Sequence, residues 1–96
     1  MRYDAKVDTN QPEIVQAFRT MGYTVHDTHR LGQGFPDLLV SGGRLGERNV
    51  LIEVKGDKGR LTADEKDFFT CWPGEKHVIR TIEEVERLHD TWLCTS

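Results

Sequence analysis

Two acids and a lysine stand where apolar residues would be expected. Asp37 opens the apolar run Leu38-Leu39-Val40, and Glu53 and Lys55 interrupt Val50-Leu51-Ile52-Glu53-Val54-Lys55. An unpaired charge in apolar surroundings is costly, so carboxylates set into such strands need partners. Two carboxylates and water suit a hard divalent cation, magnesium or manganese; with no histidine or thiol in the group, zinc is a poor match. Magnesium held by one or two carboxylates keeps positions open for water and for a phosphate oxygen. It lowers the pKa of that water and neutralises charge developing on phosphorus. A neighbouring ammonium, here Lys55, orients the water or stabilises the transition state. The chemistry this predicts is hydrolysis of a phosphodiester. Glu13 is a candidate third carboxylate, acting directly or through water. Each residue also has a plainer reading. Glu53 and Lys55 make a same-face ion pair, Asp37 is a turn residue after Pro36, and Glu13 and Glu65 close helix-capping boxes.

The elements that must position these residues follow from spacing. Asn10 reads as an N-cap, with Pro12 in the first turn and Glu13 three residues on; Ile14, Ala17, Phe18 and Met21 repeat at helical spacing up to Gly22. Tyr23 to Thr28 alternates as a strand. His26 and His29 fall on strand and loop, where they read as polar surface side chains. Leu31 to Gly34 is a flexible approach to Pro36, and Asp37 to Val40 is the second strand. Ser41 to Arg48 is a glycine-rich connector for a loose hairpin and lacks the pattern of a phosphate-cradling loop. In the strand Val50 to Lys55, Val50, Ile52 and Val54 point one way and Leu51, Glu53 and Lys55 the other. The all-apolar face should meet a helix layer. Gly56 to Arg60 is a turn. Thr62 and Glu65 cap a helix with Phe68, Phe69 and Trp72 on its apolar side, stopped at Pro73-Gly74. His77 to Arg80 is a short strand. Thr81 and Glu84 cap a last helix with Ile82, Val85, Leu88 and Trp92 as its stripe. The order, helix–strand–strand–strand–helix–strand–helix, predicts one α/β domain over residues 1–96, a mixed central sheet flanked by helices. Residues 1–9 read as a polar lead-in with room for a short strand.

Gly34-Phe35-Pro36-Asp37, then Ile52-Glu53-Val54-Lys55, then Leu61-Thr62 opening a helix, resemble the PD-(D/E)XK nuclease superfamily. Within it the chain is most similar to the small stand-alone VRR-NUC domains of phages and bacteria, from Glu13 to about Arg80. The resemblance implies a restriction-endonuclease-like αβββαβ core and a magnesium-dependent endonuclease acting on DNA, with manganese as a substitute. It implies Asp37 and Glu53 as metal carboxylates and the Val54 carbonyl as a further ligand. It also implies Lys55 as the catalytic lysine and Glu13 as the first-helix acid. It implies kinship with Holliday-junction resolvases, hence selectivity for branched DNA, and a homodimer in the cytoplasm of a bacterial or phage-infected cell. Many members have glutamine where Glu65 stands, which leaves open whether Glu65 binds metal or repels phosphate.

Composition sets the limits. Ninety-six residues give a thin core, for which an oligomer is a natural complement. No stretch of about 18 apolar residues is present, so no membrane span is expected. The opening residues lack the apolar run of a signal peptide. Cys71 and Cys94 form no zinc spacing; a disulfide is open to them, with reduced thiols the default. The net charge is −3, yet from Arg30 to Arg60 six cations face four acids. Lys58 and Arg60 are the first candidates for phosphate contacts, with Arg30, Arg44 and Arg48 behind them. The runner-up functions are a catalytically inactive DNA-binding module of a recombination or repair complex, and a small structural or regulatory phage protein.

Overall fold

The computed structural model describes residues 8 to 93. The lead-in strand expected before residue 8 and the thiol of Cys94 lie outside the described residues; Cys71 is exposed and free. The chain forms α1 (Gln11–Thr20), β1 (Tyr23–Asp27), β2 (Leu38–Gly42), β3 (Val50–Val54), α2 (Ala63–Cys71), β4 (Lys76–Ile79) and α3 (Ile82–Leu93), with 3-10 turns at His29–Leu31 and Gly43–Leu45. The four strands lie in the order β1-β2-β3-β4. β1 and β2 pair antiparallel, as do β2 and β3, and β3 pairs parallel with β4. This is the expected α/β architecture, a mixed sheet with helices on both faces. No helix among the described residues is long and apolar enough to cross a membrane.

Alternation along each strand sorts the side chains. Tyr23, Val25, Leu38, Val40, Val50, Ile52 and Val54 share a face and are buried with Ile14 and Phe18 of α1 and Val85, Leu88 and Trp92 of α3. Ile82, read as part of the α3 stripe, is more than a third exposed because it begins the helix at the rim of that layer. The other face of β3 carries Leu51 and Glu53 and is covered by α2. Here the sequence reading needs correction: α2 buries none of its residues. Phe68 and Phe69 are half-buried and Trp72 is exposed. α2 is held at its N-terminus instead. The Thr62 hydroxyl accepts from the Glu65 amide at 3.2 Å, and Glu65 Oε1 accepts from the Thr62 amide at 2.8 Å.

The first helix also begins differently from the expectation. Asn10 is the N-cap residue but makes no side-chain cap, and Glu13 closes no box. Its amide is used elsewhere: Asn10 Nδ2 donates to the carbonyls of Lys55 at 3.0 Å and Arg80 at 2.9 Å. α1 is thereby tied to the C-terminal ends of β3 and β4.

Candidate active site

The register of β2 and β3 builds the site. Leu38 lies opposite Ile52, so one residue further out Asp37 comes level with Glu53 on the other face. Asp37 Oδ2 accepts from the Val54 amide at 2.9 Å, which fixes the carboxylate against the end of β3. The loop before it is shaped by three successive left-handed residues, Gly32, Gln33 and Gly34, with φ of 70°, 56° and 80°. At Gly34 the demand for glycine is double. The φ is positive, and a Cβ there would stand 2.3 Å from the Asp64 carbonyl oxygen. Only a bare α-carbon lets the first turn of α2 rest on this loop. Thr28, buried, completes the frame: its hydroxyl donates to Pro36 O and its amide to Asp37 O, both at 2.7 Å.

With α2 so placed, Glu65 meets Lys55. Lys55 Nζ stands 2.8 Å from Glu65 Oε1 and 3.4 Å from Glu53 Oε2. Glu65 was legible from sequence as a capping acid; the structure gives the same oxygen a second donor, the Lys55 ammonium. Glu53 is the most deeply placed member, 2 % exposed. Its Oε1 is buried and accepts no hydrogen bond from any N–H or O–H donor. Instead its carboxyl group lies within hydrogen-bonding reach of the Asp37 and Glu65 carboxyls.

Three carboxyls against one ammonium leave two negative charges unbalanced. Burial, then the charges of Asp37 and Glu65, push Glu53 up to about 9, against a smaller opposite pull from Lys55. Burial also raises Asp37, and the Val54 amide only partly offsets it. Burial acts to lower Lys55, but its bonds to Glu65 and Glu53 outweigh that and leave it raised. Glu65 is pulled below its ordinary range despite its burial, because Lys55 and the Thr62 amide both stabilise the anion. With Lys55 as its cationic neighbour, Glu53 therefore holds a proton at neutral pH.

A divalent cation between Asp37 and Glu53 would replace that proton, offset the excess charge and take the orphaned Glu53 Oε1. Among the described residues no group of three or more His, Cys, Asp or Glu side chains is arranged to hold a metal ion. Asp37 and Glu53 would be the ligands, with the Val54 carbonyl beside them and Glu65 within reach of Glu53.

The structure does not bring every predicted residue here. Glu13 is exposed on the opposite layer, in a groove with Gln16, Ala17, Thr20, Met21, Ile82 and Glu86. α1 covers the apolar face of β3, whereas Glu53 points to the other. Arg44 and Arg48 lie on the β2–β3 hairpin, at the end of the sheet away from Asp37. Arg44 donates to the His89 carbonyl at 3.0 Å and so serves the C-terminal half of α3. Lys58 and Arg60 are exposed in the loop just past β3, and Arg30 in the β1–β2 loop, all at the same sheet end as Asp37.

Two further contacts flank the site. Arg80 Nη1 donates to Gly56 O at 2.6 Å and pins the loop after Lys55. His29 Nδ1 pairs with Asp27 Oδ1 at 2.5 Å at the start of the loop that carries Arg30. Short-range spacing flags the second pair; nothing local flags the first. No family model, curated protein or solved structure matches the chain.

Proposed function

We propose that Asp37, Glu53 and Lys55 form the centre of a divalent-metal-dependent endonuclease that hydrolyses DNA phosphodiesters. The observation that carries this reading is the buried, unpartnered Glu53 Oε1 in a group with two surplus negative charges beside a lysine. A structural ion pair would balance its charges; this one leaves room for two more positive ones. The resemblance of Gly34 to Asp37 and Ile52 to Lys55 to PD-(D/E)XK nucleases of the VRR-NUC type supports the same reaction.

Magnesium or manganese would be held by Asp37, Glu53 and the Val54 carbonyl, supplying an acidified water and charge neutralisation at phosphorus. The chain's own groups do the rest. Lys55 donates to the non-bridging oxygen or to the attacking water, at the side of the scissile phosphate. Glu65 sets the position of Lys55 Nζ through a fixed helix turn. Lys58, Arg60 and Arg30 contact phosphates, which gives affinity without sequence readout. Among the described residues no helix or ribbon is placed for reading base edges, so branched or otherwise shaped DNA is the proposed substrate, and a homodimer on such a junction the proposed assembly.

The test is cleavage of linear, flapped and four-way-junction DNA with magnesium or manganese, with Lys55→Ala in parallel. Cutting that requires both the metal and Lys55 supports the reading; cutting that survives Lys55→Ala overturns the role of the lysine. Manganese titration by calorimetry should show Asp37→Asn binding more weakly, and an unchanged affinity would remove Asp37 from the ligand set. One observation favours a second reading, a DNA-binding module without turnover: Glu65 already occupies Lys55 at 2.8 Å. That reading expects DNA binding by the parent with no cleavage, and binding that survives Asp37→Ala.

A further inference from the structure

Three aromatic rings lie on the polar side of the sheet without joining the core. Phe68 and Trp72 stack, with centroids 5.1 Å apart and planes 17° from parallel. Phe35 meets Phe68 edge to face, at 5.1 Å and 70°. None belongs to the buried apolar cluster, and Trp72 is 42 % exposed. These rings do not serve the fold as Phe18 or Trp92 do.

Their position is tied to the candidate site from two directions. Phe35 is two residues before Asp37. Glu65, Phe68 and Trp72 follow one another at i, i+3 and i+7, one side of α2 and of the turn that ends it. The row therefore starts at the Lys55–Glu65 ion pair and runs away from it. Asp67, at roughly 200° around the helix from Glu65, is on the opposite side. At the far end of the row stands an ammonium: Lys76 Nζ donates to the Trp72 carbonyl at 2.6 Å. The candidate site, a cluster of rings whose outer member Trp72 keeps 42 % of its surface exposed, and a nearby ammonium match one ligand chemistry, a nucleic-acid strand whose bases are free to stack. Paired bases hide their faces inside the duplex, so within a nucleic acid such rings can stack only on an unpaired base.

We propose that Phe35, Phe68 and Trp72 form a stacking subsite for an unpaired nucleobase next to the scissile phosphate. The substrate class is thereby narrowed to DNA with a single-stranded portion, such as a flap or overhang. This rests on the phosphodiesterase reading above.

The chain carries its own probe. Trp72 is exposed and Trp92 is 3 % exposed, so quenching of emission by a bound base reports on Trp72. The experiment compares the parent with Trp72→Leu on a blunt duplex and on the same duplex with a single-stranded overhang. The parent's emission should be quenched by the overhang substrate and not by the blunt one. Trp72→Leu should bind the overhang substrate roughly tenfold more weakly, with blunt-duplex affinity unchanged. A parent that cuts DNA but shows no quenching, and whose overhang affinity Trp72→Leu does not change, overturns the subsite and leaves the nuclease reading standing. A parent that neither binds nor cuts any DNA removes both. If Trp72→Leu instead converts a DNA-free dimer to monomer in sedimentation, the row is a self-interface and the proposal fails.

Discussion

The two faces of the sheet differ in what they bury. Under α1 and α3 lie Ile14, Phe18, Val40, Ile52, Val54 and Val85, each fully buried, with no charge among them. Under α2 lie Glu53, Lys55 and Asp37, with Phe35 and Phe68 half-covered and Trp72 exposed. The same strand, β3, feeds both faces through simple alternation. The apolar face holds the fold mainly through non-directional apolar burial, with Tyr23 and Trp92 turning their polar atoms to His89 and Glu75 at its edge. The polar face holds itself by a few directional bonds and carries uncompensated charge, an arrangement that costs stability and suits chemistry.

The contrast is sharpest if each face is broken separately. Lys55→Ala should lower cleavage by about 10³-fold, with a smaller loss of stability than a core truncation because the carboxyls it leaves can take up protons. Phe18→Ala should do the reverse, costing about 3–5 kcal/mol in denaturant unfolding. A Lys55→Ala protein that melts like Phe18→Ala would show that the polar face is structural after all.

Glu53→Gln comes next. Glu53 has a value of 4.5 in the unfolded chain and about 9 in the metal-free fold. Between these values the native state holds a proton that the unfolded state has released. The stability contributed is therefore full below pH 4.5 and is lost as pH climbs toward 9. Thermal melts of the metal-free parent should fall across that window. Glu53→Gln should flatten the slope and gain about 1–3 kcal/mol at pH 8, at the expense of manganese binding by calorimetry. Smaller still, Thr62→Ala should cost about 1 kcal/mol by loss of the α2 cap, and should lower cleavage as well. Last, Arg60→Ala should reduce the salt dependence of DNA binding by about one unit of slope, and Arg44→Ala should not, since it lies at the opposite end of the sheet.

What could be read from the sequence follows the range of the interactions. Helices and strands are written in local periodicity, so their order and the burial of Ile14, Val25 and Ile52 were legible. The capping boxes at Thr62 and Thr81 were legible too, being four-residue devices. The box at Asn10 was misread because its amide serves the carbonyls of residues 45 and 70 positions away. Asp37, Glu53 and Lys55 stood out as charges inside apolar runs, and the structure does bring them together. Glu13 looked equivalent, but which layer a helix joins is decided by tertiary packing. Arg44 and Arg48 counted as local charge near the site; a hairpin between them and the acids carries them to the other end. Glu65's second partner lies ten residues back, across a turn, and no spacing rule covers it.

Glu65 Oε1 receives both the Thr62 amide and the Lys55 ammonium. The first turn of α2 and the placement of Lys55 therefore open and close as one event. Amide hydrogen exchange at Thr62 and Glu65 becomes a clock for how often the lysine is released. A chain whose second helix has not yet formed still sets Asp37 level with Glu53 through the β2–β3 register, but its Lys55 ammonium lacks the Glu65 partner. Opening of that first turn frees the Lys55 ammonium from Glu65 while the apolar face under α1 and α3 keeps its own contacts.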